Sequence, residues 1–291
     1  MKILVAVDSS NASTIAARDA AGRPWPAGTT VRVISVIEPV QGWSAPDIEE
    51  AIRQSSEQTV QENAGYFRHA GLDTSTSVSM GDPKTVIVDE AAESQADLVV
   101  IGSHNASAVM GFLLGSVARA VARLAACSVE IVRANPGPGP LRILLAADGS
   151  ESSKAAVRSV ASRPWPAGTE FRILSVVEPS APVLPTSYFS AEVMEELRGK
   201  DMQRAQEAVS SAESILFGAG IETTSIIAVP AATPKELILS EAAEWNAGLL
   251  VVGSHGRRGV NRFLLGSVSE AIALHAKCSV EIVRVPHERE N

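Results

Sequence analysis

The chain has 291 residues, room for two domains of ordinary size, and 45% hydrophobic against 20% charged residues lets each half bury a core. A net charge of −8 disfavours nonspecific binding to nucleic acid or to anionic membrane. No apolar run approaches membrane-spanning length, and Met1–Val7 is too short for a signal peptide and ends at Asp8, so the cytoplasm is the expected location.

Read in order, apolar runs alternate with helical patterns. A strand is predicted over Ile3–Val7, an alanine-rich helix over Asn11–Ala21, and a turn over Gly22–Gly28 with Trp25 as its apolar plug. A second strand, Val31–Val36, leads to a long helix, Pro46–Ala70, stopped by Gly71. Asp73–Ser79 is a more polar strand, suited to a sheet edge. Pro83–Ser94 is a helix with proline in its first turn. Leu98–Ile101, Ser116–Ala125 and Val129–Arg133 follow as strand, helix and strand.

The order then repeats over Ile143–Ala147, Ser152–Ala161, Glu170–Val177, Ala191–Phe217, Glu222–Val229, Pro234–Glu244, Leu249–Val252, Ser267–Ala276 and Val280–Val285. Arg23-Pro-Trp-Pro-Ala-Gly-Thr29 recurs at Arg163–Thr169, offset by 140, while Gly102-Ser-His104 recurs at Gly253–His255, offset by 151. The chain is therefore a duplication: residues 1–134, a Pro/Gly linker over 135–140, and residues 141–291. Strands alternating with helices, joined by right-handed crossovers, give an α/β fold. Each copy is expected to be a doubly wound, five-stranded parallel sheet of order 3-2-1-4-5. The last strands would lie at sheet edges, where the two copies can pair with each other.

In such a sheet the ligand site lies beyond the C-terminal ends of strands 1 and 4. In the second copy those ends carry Asp148 and the basic loop Gly253-Ser-His-Gly-Arg-Arg-Gly-Val-Asn-Arg-Phe-Leu-Leu-Gly-Ser267. Gly253 and Gly256 allow close backbone approach, and Gly266-Ser267 opens a helix with free N–H donors. Arg257, Arg258 and Arg262 add positive charge. The loop reads as a phosphate cradle, though it is neither a Walker loop nor a Rossmann fingerprint. His104 and His255 lack a nucleophile or acidic partner nearby in sequence, so no catalytic residue is assigned. Cys127 and Cys278, without a CxxC spacing, read as small buried thiols, and no metal-ligand cluster is apparent.

With these residues assembled, the chain resembles the universal stress protein family in its tandem form, nearly end to end. The ATP-binding branch of that family carries Gly-x2-Gly-x9-Gly-Ser/Thr, met here by Gly253, Gly256, Gly266 and Ser267. The resemblance implies that Asp148 faces the nucleotide, that Val176 packs on adenine, and that the Val268 N–H reaches phosphate. It implies ATP, with Mg²⁺, in the second copy. It also implies a last strand that joins two domains about a two-fold axis: an intramolecular pseudo-dimer here, with a further homodimer possible.

Two departures are visible. Ala146 and Ala6 stand where the family often has proline before the aspartate. In the first copy Asp8, Gly102, Gly115 and Ser116 keep the pattern, but Asn105 replaces the second glycine and Ala106, Ser107 and Gly111 replace the three arginines. That copy is expected to be a degenerate site. The leading expectation is an ATP-binding regulator of a stress response. A slow nucleotide hydrolase, a ligand-free scaffold and a cyclic-nucleotide binder stay open beside it.

Overall fold

The computed structural model describes residues 1–39, 46–103, 114–133, 139–178, 190–229, 232–257 and 265–285. In the first copy β1 (Lys2–Ala6), α1 (Asn11–Ala21), β2 (Thr30–Ile37), α2 (Pro46–His69) and β3 (Asp73–Met80) precede α3 (Pro83–Glu93), β4 (Leu98–Gly102), α4 (Ser116–Leu124) and β5 (Ser128–Val132). The second copy repeats the series as β6 (Arg142–Ala146), α5 (Glu151–Ala161), β7 (Glu170–Val176), α6 (Ala191–Gly218) and β8 (Thr224–Ala228). It ends with α7 (Pro234–Glu244), β9 (Leu249–Gly253), α8 (Ser267–His275) and β10 (Ser279–Val283).

Helix starts follow local chemistry. Ser10 and Ser150 cap α1 and α5 by accepting from the N–H of Ser13 and Ser153. Thr233 and Glu236 form a reciprocal capping box at α7, with Pro234 at its first position. The strands are buried on both faces, as parallel sheets require: Val5, Leu98, Leu144, Ile173 and Leu250 are almost wholly enclosed.

Each copy has the predicted order, and the two sheets are one: β3-β2-β1-β4-β5-β10-β9-β6-β7-β8. All pairs are parallel except β5 with β10, which run antiparallel with Glu130 opposite Glu281. The last strands therefore lie at the centre of a ten-stranded sheet rather than at free edges, and polar β3 lies at an outer edge as expected.

The seam is heavily charged and closed to water. Glu130 is 0% and Glu281 1% exposed. Arg23 Nη1 and Nη2 donate to Glu130 Oε2 and Oε1 at 3.1 and 2.6 Å, and Nη2 also donates to Asp19 Oδ2 at 2.7 Å. In the second copy Arg163 Nη2 donates to Glu281 Oε2 at 2.7 Å. The duplicated Arg-Pro-Trp-Pro motif thus supplies the countercharge of the seam. Its tryptophans anchor the turn, with Trp25 and Trp165 Nε1 donating to the carbonyls of Ala20 and Val160.

Arginines that follow the seam strands cross it reciprocally. Arg133 donates to the carbonyls of Ala273, in α8, and Cys278, and Arg284 to those of Ala122 and Arg123 in α4. Each copy thereby satisfies helix-end carbonyls of the other. Cys127 and Cys278 are free thiols, and burial pushes both up to about 11.

Candidate functional site

Strand β6 is flanked by β7 on one side and β9 on the other, with Ala146 level with Val252. The chain leaves the sheet in opposite directions here, and a cleft of about 320 Å³ opens beyond the strand ends. Its walls are apolar: Ala146, Leu174, Val176, Ile238 and Val252. Its polar groups are Asp148, Glu178, His255 and Arg257, together with the first turn of α8 from Gly266 to Ser269. Ala146, Asp148, Val176, Gly253, His255, Gly256, Arg257, Gly266, Ser267 and Val268, separated by up to 122 positions, thus line one cavity. Arg258, Arg262, Asn105 and His104 lie outside the described residues.

Asp148 organises the mouth. Its Oδ1 accepts from the Ser150 N–H at 2.9 Å and its Oδ2 from the Arg257 N–H at 3.1 Å. The aspartate therefore joins the turn before α5 to the loop after β9. Ser150 Oγ adds a bond to the His255 carbonyl at 3.3 Å. Above this, Arg257 Nη2 reaches Glu178 Oε2 at 3.5 Å. The ion pair is part exposed, so it contributes at most about 1 kcal/mol and is free to exchange partners.

The floor is the start of α8. Gly266 is its N-cap, extended at φ −65° and ψ 151°, and provides no side chain to cap the helix. The first-turn N–H groups carry the positive end of the helix dipole, and this turn lines the cleft. The helix start is tied to the end of β9: Gly266 N donates to Ser254 O at 2.9 Å, and Ser269 Oγ to Gly253 O at 2.7 Å.

The loop glycines have packing reasons of their own. A Cβ on Gly253 would stand 2.6 Å from Ser152 C and 2.7 Å from Ser153 N, in the backbone of α5. Gly102 meets the Ala12 backbone in the same way, at 2.8 Å. These glycines let a helix start abut a strand end. Gly256 differs, because its Cβ would meet only the Asp148 Oδ2, at 2.9 Å. Gly253→Ala is accordingly expected to lower stability by about 2–4 kcal/mol in urea unfolding, since backbone must move. Gly256→Ala should cost under about 1 kcal/mol and instead break the Asp148–Arg257 contact, read by amide exchange at Arg257.

His255 has its Nδ1 3.1 Å from Ser254 Oγ, and its Nε2 is shielded without a hydrogen-bond partner. Burial, reinforced by Arg284, lowers its pKa, which favours the neutral ring. The ring is thus held by a hydroxyl, without the carboxylate that orients a general base in a triad. Among the described residues no group of three or more His, Cys, Asp or Glu could hold a metal ion.

Glu178, Leu174 and Ile238 escaped the sequence reading. The repeat carried the signal for the first, since Glu38-Pro39 and Glu178-Pro179 both follow the second strand. A matching cleft of about 280 Å³ lies in the first copy, lined by Ile34, Val36, Ile87 and Ile101 with Asp8, Glu38, Gly102, Gly115 and Ser116. There Asp8 Oδ1 accepts from the Ser10 N–H at 2.9 Å, and Gly115 caps α4 as Gly266 caps α8.

Comparison with known proteins bears on this arrangement. The model of the universal stress protein family matches the chain twice, over residues 1–133 and 141–284. A universal stress protein of Mycolicibacterium smegmatis is 29% identical over 298 aligned positions, spanning 97% of this chain and 96% of its own. One from Mycobacterium tuberculosis is 29% identical over 201 positions, which is 66% of this chain and 63% of the relative. Among solved structures, a universal stress protein from Archaeoglobus fulgidus superposes with a TM-score of 0.67 at 23% identity, covering 99% of this chain and 97% of its own.

Proposed function

The chain belongs to the universal stress protein family, and from that membership and the cleft we propose that its second copy binds an adenine nucleotide, with ATP as the leading ligand. One observation carries the reading. A slot walled by Leu174, Val176, Ile238 and Val252 ends on the uncapped start of α8, with Asp148 and Arg257 at its mouth. The slot suits a flat apolar base, the aspartate suits ribose hydroxyls, and the helix start suits phosphate. Val268 follows Gly266-Ser267 in that first turn, where its N–H would donate to a phosphate oxygen. Arg258 and Arg262 would add countercharge to the polyphosphate from the same loop.

Mg²⁺ fits as a companion of the phosphates. Mg²⁺ ordinarily keeps several waters and is carried by phosphate oxygens with few protein ligands, and here Asp148 is engaged by the Ser150 and Arg257 N–H groups and Glu178 by the Arg257 side chain. Bound Mg²⁺ would neutralise phosphate charge. The neutral His255 ring, with its Nδ1 beside Ser254 Oγ and its Nε2 shielded, is read as a structural part of the cleft wall rather than as a base. The role is regulatory: occupancy by nucleotide reports to a partner, in keeping with a His255 that has no orienting carboxylate among the described residues.

Isothermal titration of the full chain with ATP, AMP and cyclic AMP tests this reading, with native mass spectrometry of freshly purified protein identifying any retained ligand. Gly266→Trp plugs the helix start and is expected to weaken ATP binding by at least about 100-fold, some 3 kcal/mol. Unchanged affinity in that variant would place the site elsewhere. ATP turnover that disappears in His255→Ala would favour the hydrolase instead.

A further inference from the structure

The first cleft keeps the slot of the second but has a mouth of different charge. Asp8 and Glu38 stand at its opening, and among the described residues no lysine, arginine or histidine lines it. In the second copy Arg257 engages both counterparts, Asp148 through its N–H and Glu178 through its side chain. The stretch between Ser103 and Leu114 contains no lysine or arginine, so it provides no replacement for Arg257, Arg258 or Arg262. A phosphate brought to this mouth meets two carboxylates and no such cation.

The groups that suit a base and its sugar are all present. Ile34, Val36, Ile87 and Ile101 wall a slot of about 280 Å³. Asp8 turns Oδ1 to the Ser10 N–H and hydroxyl, and among the described residues its Oδ2 has no partner. Gly115 leaves the start of α4 without a side-chain cap. We propose that the first cleft is a nucleoside site, which takes an uncharged adenine nucleoside where the second cleft takes the phosphorylated form.

The proposal rests on the adenine reading of the second cleft and assigns a different ligand class to its counterpart. A nucleoside uses only what the two clefts share. Its base fills the slot, its ribose hydroxyls donate to Asp8 Oδ2, and its 5′-hydroxyl accepts from the start of α4. The absence of the arginines therefore does not weaken it. A nucleotide forgoes those contacts and carries its charge toward Asp8 and Glu38.

Isothermal titration of the full chain carrying Gly266→Trp, which closes the second cleft, tests the site. Adenosine is expected to bind with one equivalent, AMP roughly tenfold more weakly, and ATP more weakly still. Glu38→Arg places a cation at the mouth and should reverse that order. Val36→Trp fills the slot and should abolish adenosine binding there. The parent saturated with ATP provides the same measurement if Gly266→Trp does not fold. Adenosine that does not bind, or AMP and ATP that bind the first cleft as tightly as adenosine, overturns the proposal. ATP bound at one equivalent with no response to adenosine removes the nucleoside site alone. A parent that binds none of the three compounds removes the adenine reading of both clefts.

Discussion

Arg23→Met is expected to lower the stability of the chain by about 3–5 kcal/mol, the largest loss for a single substitution at the seam. The side chain is enclosed and bridges Glu130 and Asp19, while Glu281 stands opposite Glu130 in the antiparallel pair. Burial works against its charge, but Glu130 and Asp19 more than offset this, and its pKa rises above the ordinary arginine value. Removing the cation leaves Glu130 buried opposite Glu281, while Arg163 is bonded to Glu281. Methionine keeps much of the apolar volume, so the loss measures the charge rather than a void.

Urea unfolding at pH 7 reads the effect, and a double-mutant cycle makes it specific. Glu130→Leu together with Arg23→Met removes both enclosed charges and should recover at least half of the loss, since the one partner left unpaired, Asp19, is a third exposed to water. Arg163→Met should cost less than Arg23→Met, because Arg163 already holds one carboxylate fewer. A loss below about 1 kcal/mol for Arg23→Met would mean that water or rearrangement relieves the seam.

The seam also marks where sequence reasoning reached and where it stopped. Helices Asn11–Ala21 and Pro234–Glu244 coincide with their predicted bounds because the stop and start signals are local: a capping serine at Ser10, and Thr233-Pro234 with Glu236. The first strand of each copy is displaced by one residue. Val7 and Ala147 are as buried as the strand interior, yet each is past the regular ladder and donates to a carbonyl of the neighbouring strand. Hydrophobicity registers burial, and the ladder ends sooner.

Val-Glu-Ile-Val in β5 and β10 alternates like a half-exposed edge, and its glutamates are instead buried at the centre of the molecule. Their partners lie 107 and 118 positions away in sequence, at Arg23 and Arg163, beyond any periodic signal. The cleft was legible in its polar parts, which form a spaced motif and a strand-end aspartate. Its apolar walls were not, because Leu174 and Ile238 look like any other core residue until the topology brings them to one opening. The packing role of Gly253 was equally hidden, since it depends on where α5 crosses β9.

One equivalent of ATP per chain is the expected stoichiometry, and a four-residue graft into the first copy should raise it to two. The two clefts correspond wall by wall, Ile34 to Leu174, Val36 to Val176, Ile87 to Ile238 and Ile101 to Val252, at about 280 and 320 Å³. Both have the aspartate and a glycine-capped helix start. The apolar slot and the dipole are therefore common to both, and the sequence difference is concentrated in one loop. Asn105 stands for Gly256, and Ala106, Ser107 and Gly111 stand for Arg257, Arg258 and Arg262. Charge-assisted contacts to phosphate contribute roughly 1–2 kcal/mol each at a wet mouth, so three of them separate the sites by about 10²–10⁴ in Kd. Asn105→Gly with Ala106→Arg, Ser107→Arg and Gly111→Arg restores that set, and titration should then fit two sites. The reverse exchange is the stricter test. At Gly256 even a Cβ reaches Asp148 Oδ2 at 2.9 Å, so Gly256→Asn displaces the aspartate, and replacing the arginines by Ala, Ser and Gly strips the charge. Binding should then fall below detection at micromolar concentrations. Two equal sites in the parent would remove the asymmetry itself, and full affinity after the reverse exchange would assign the discrimination to the walls rather than to the loop.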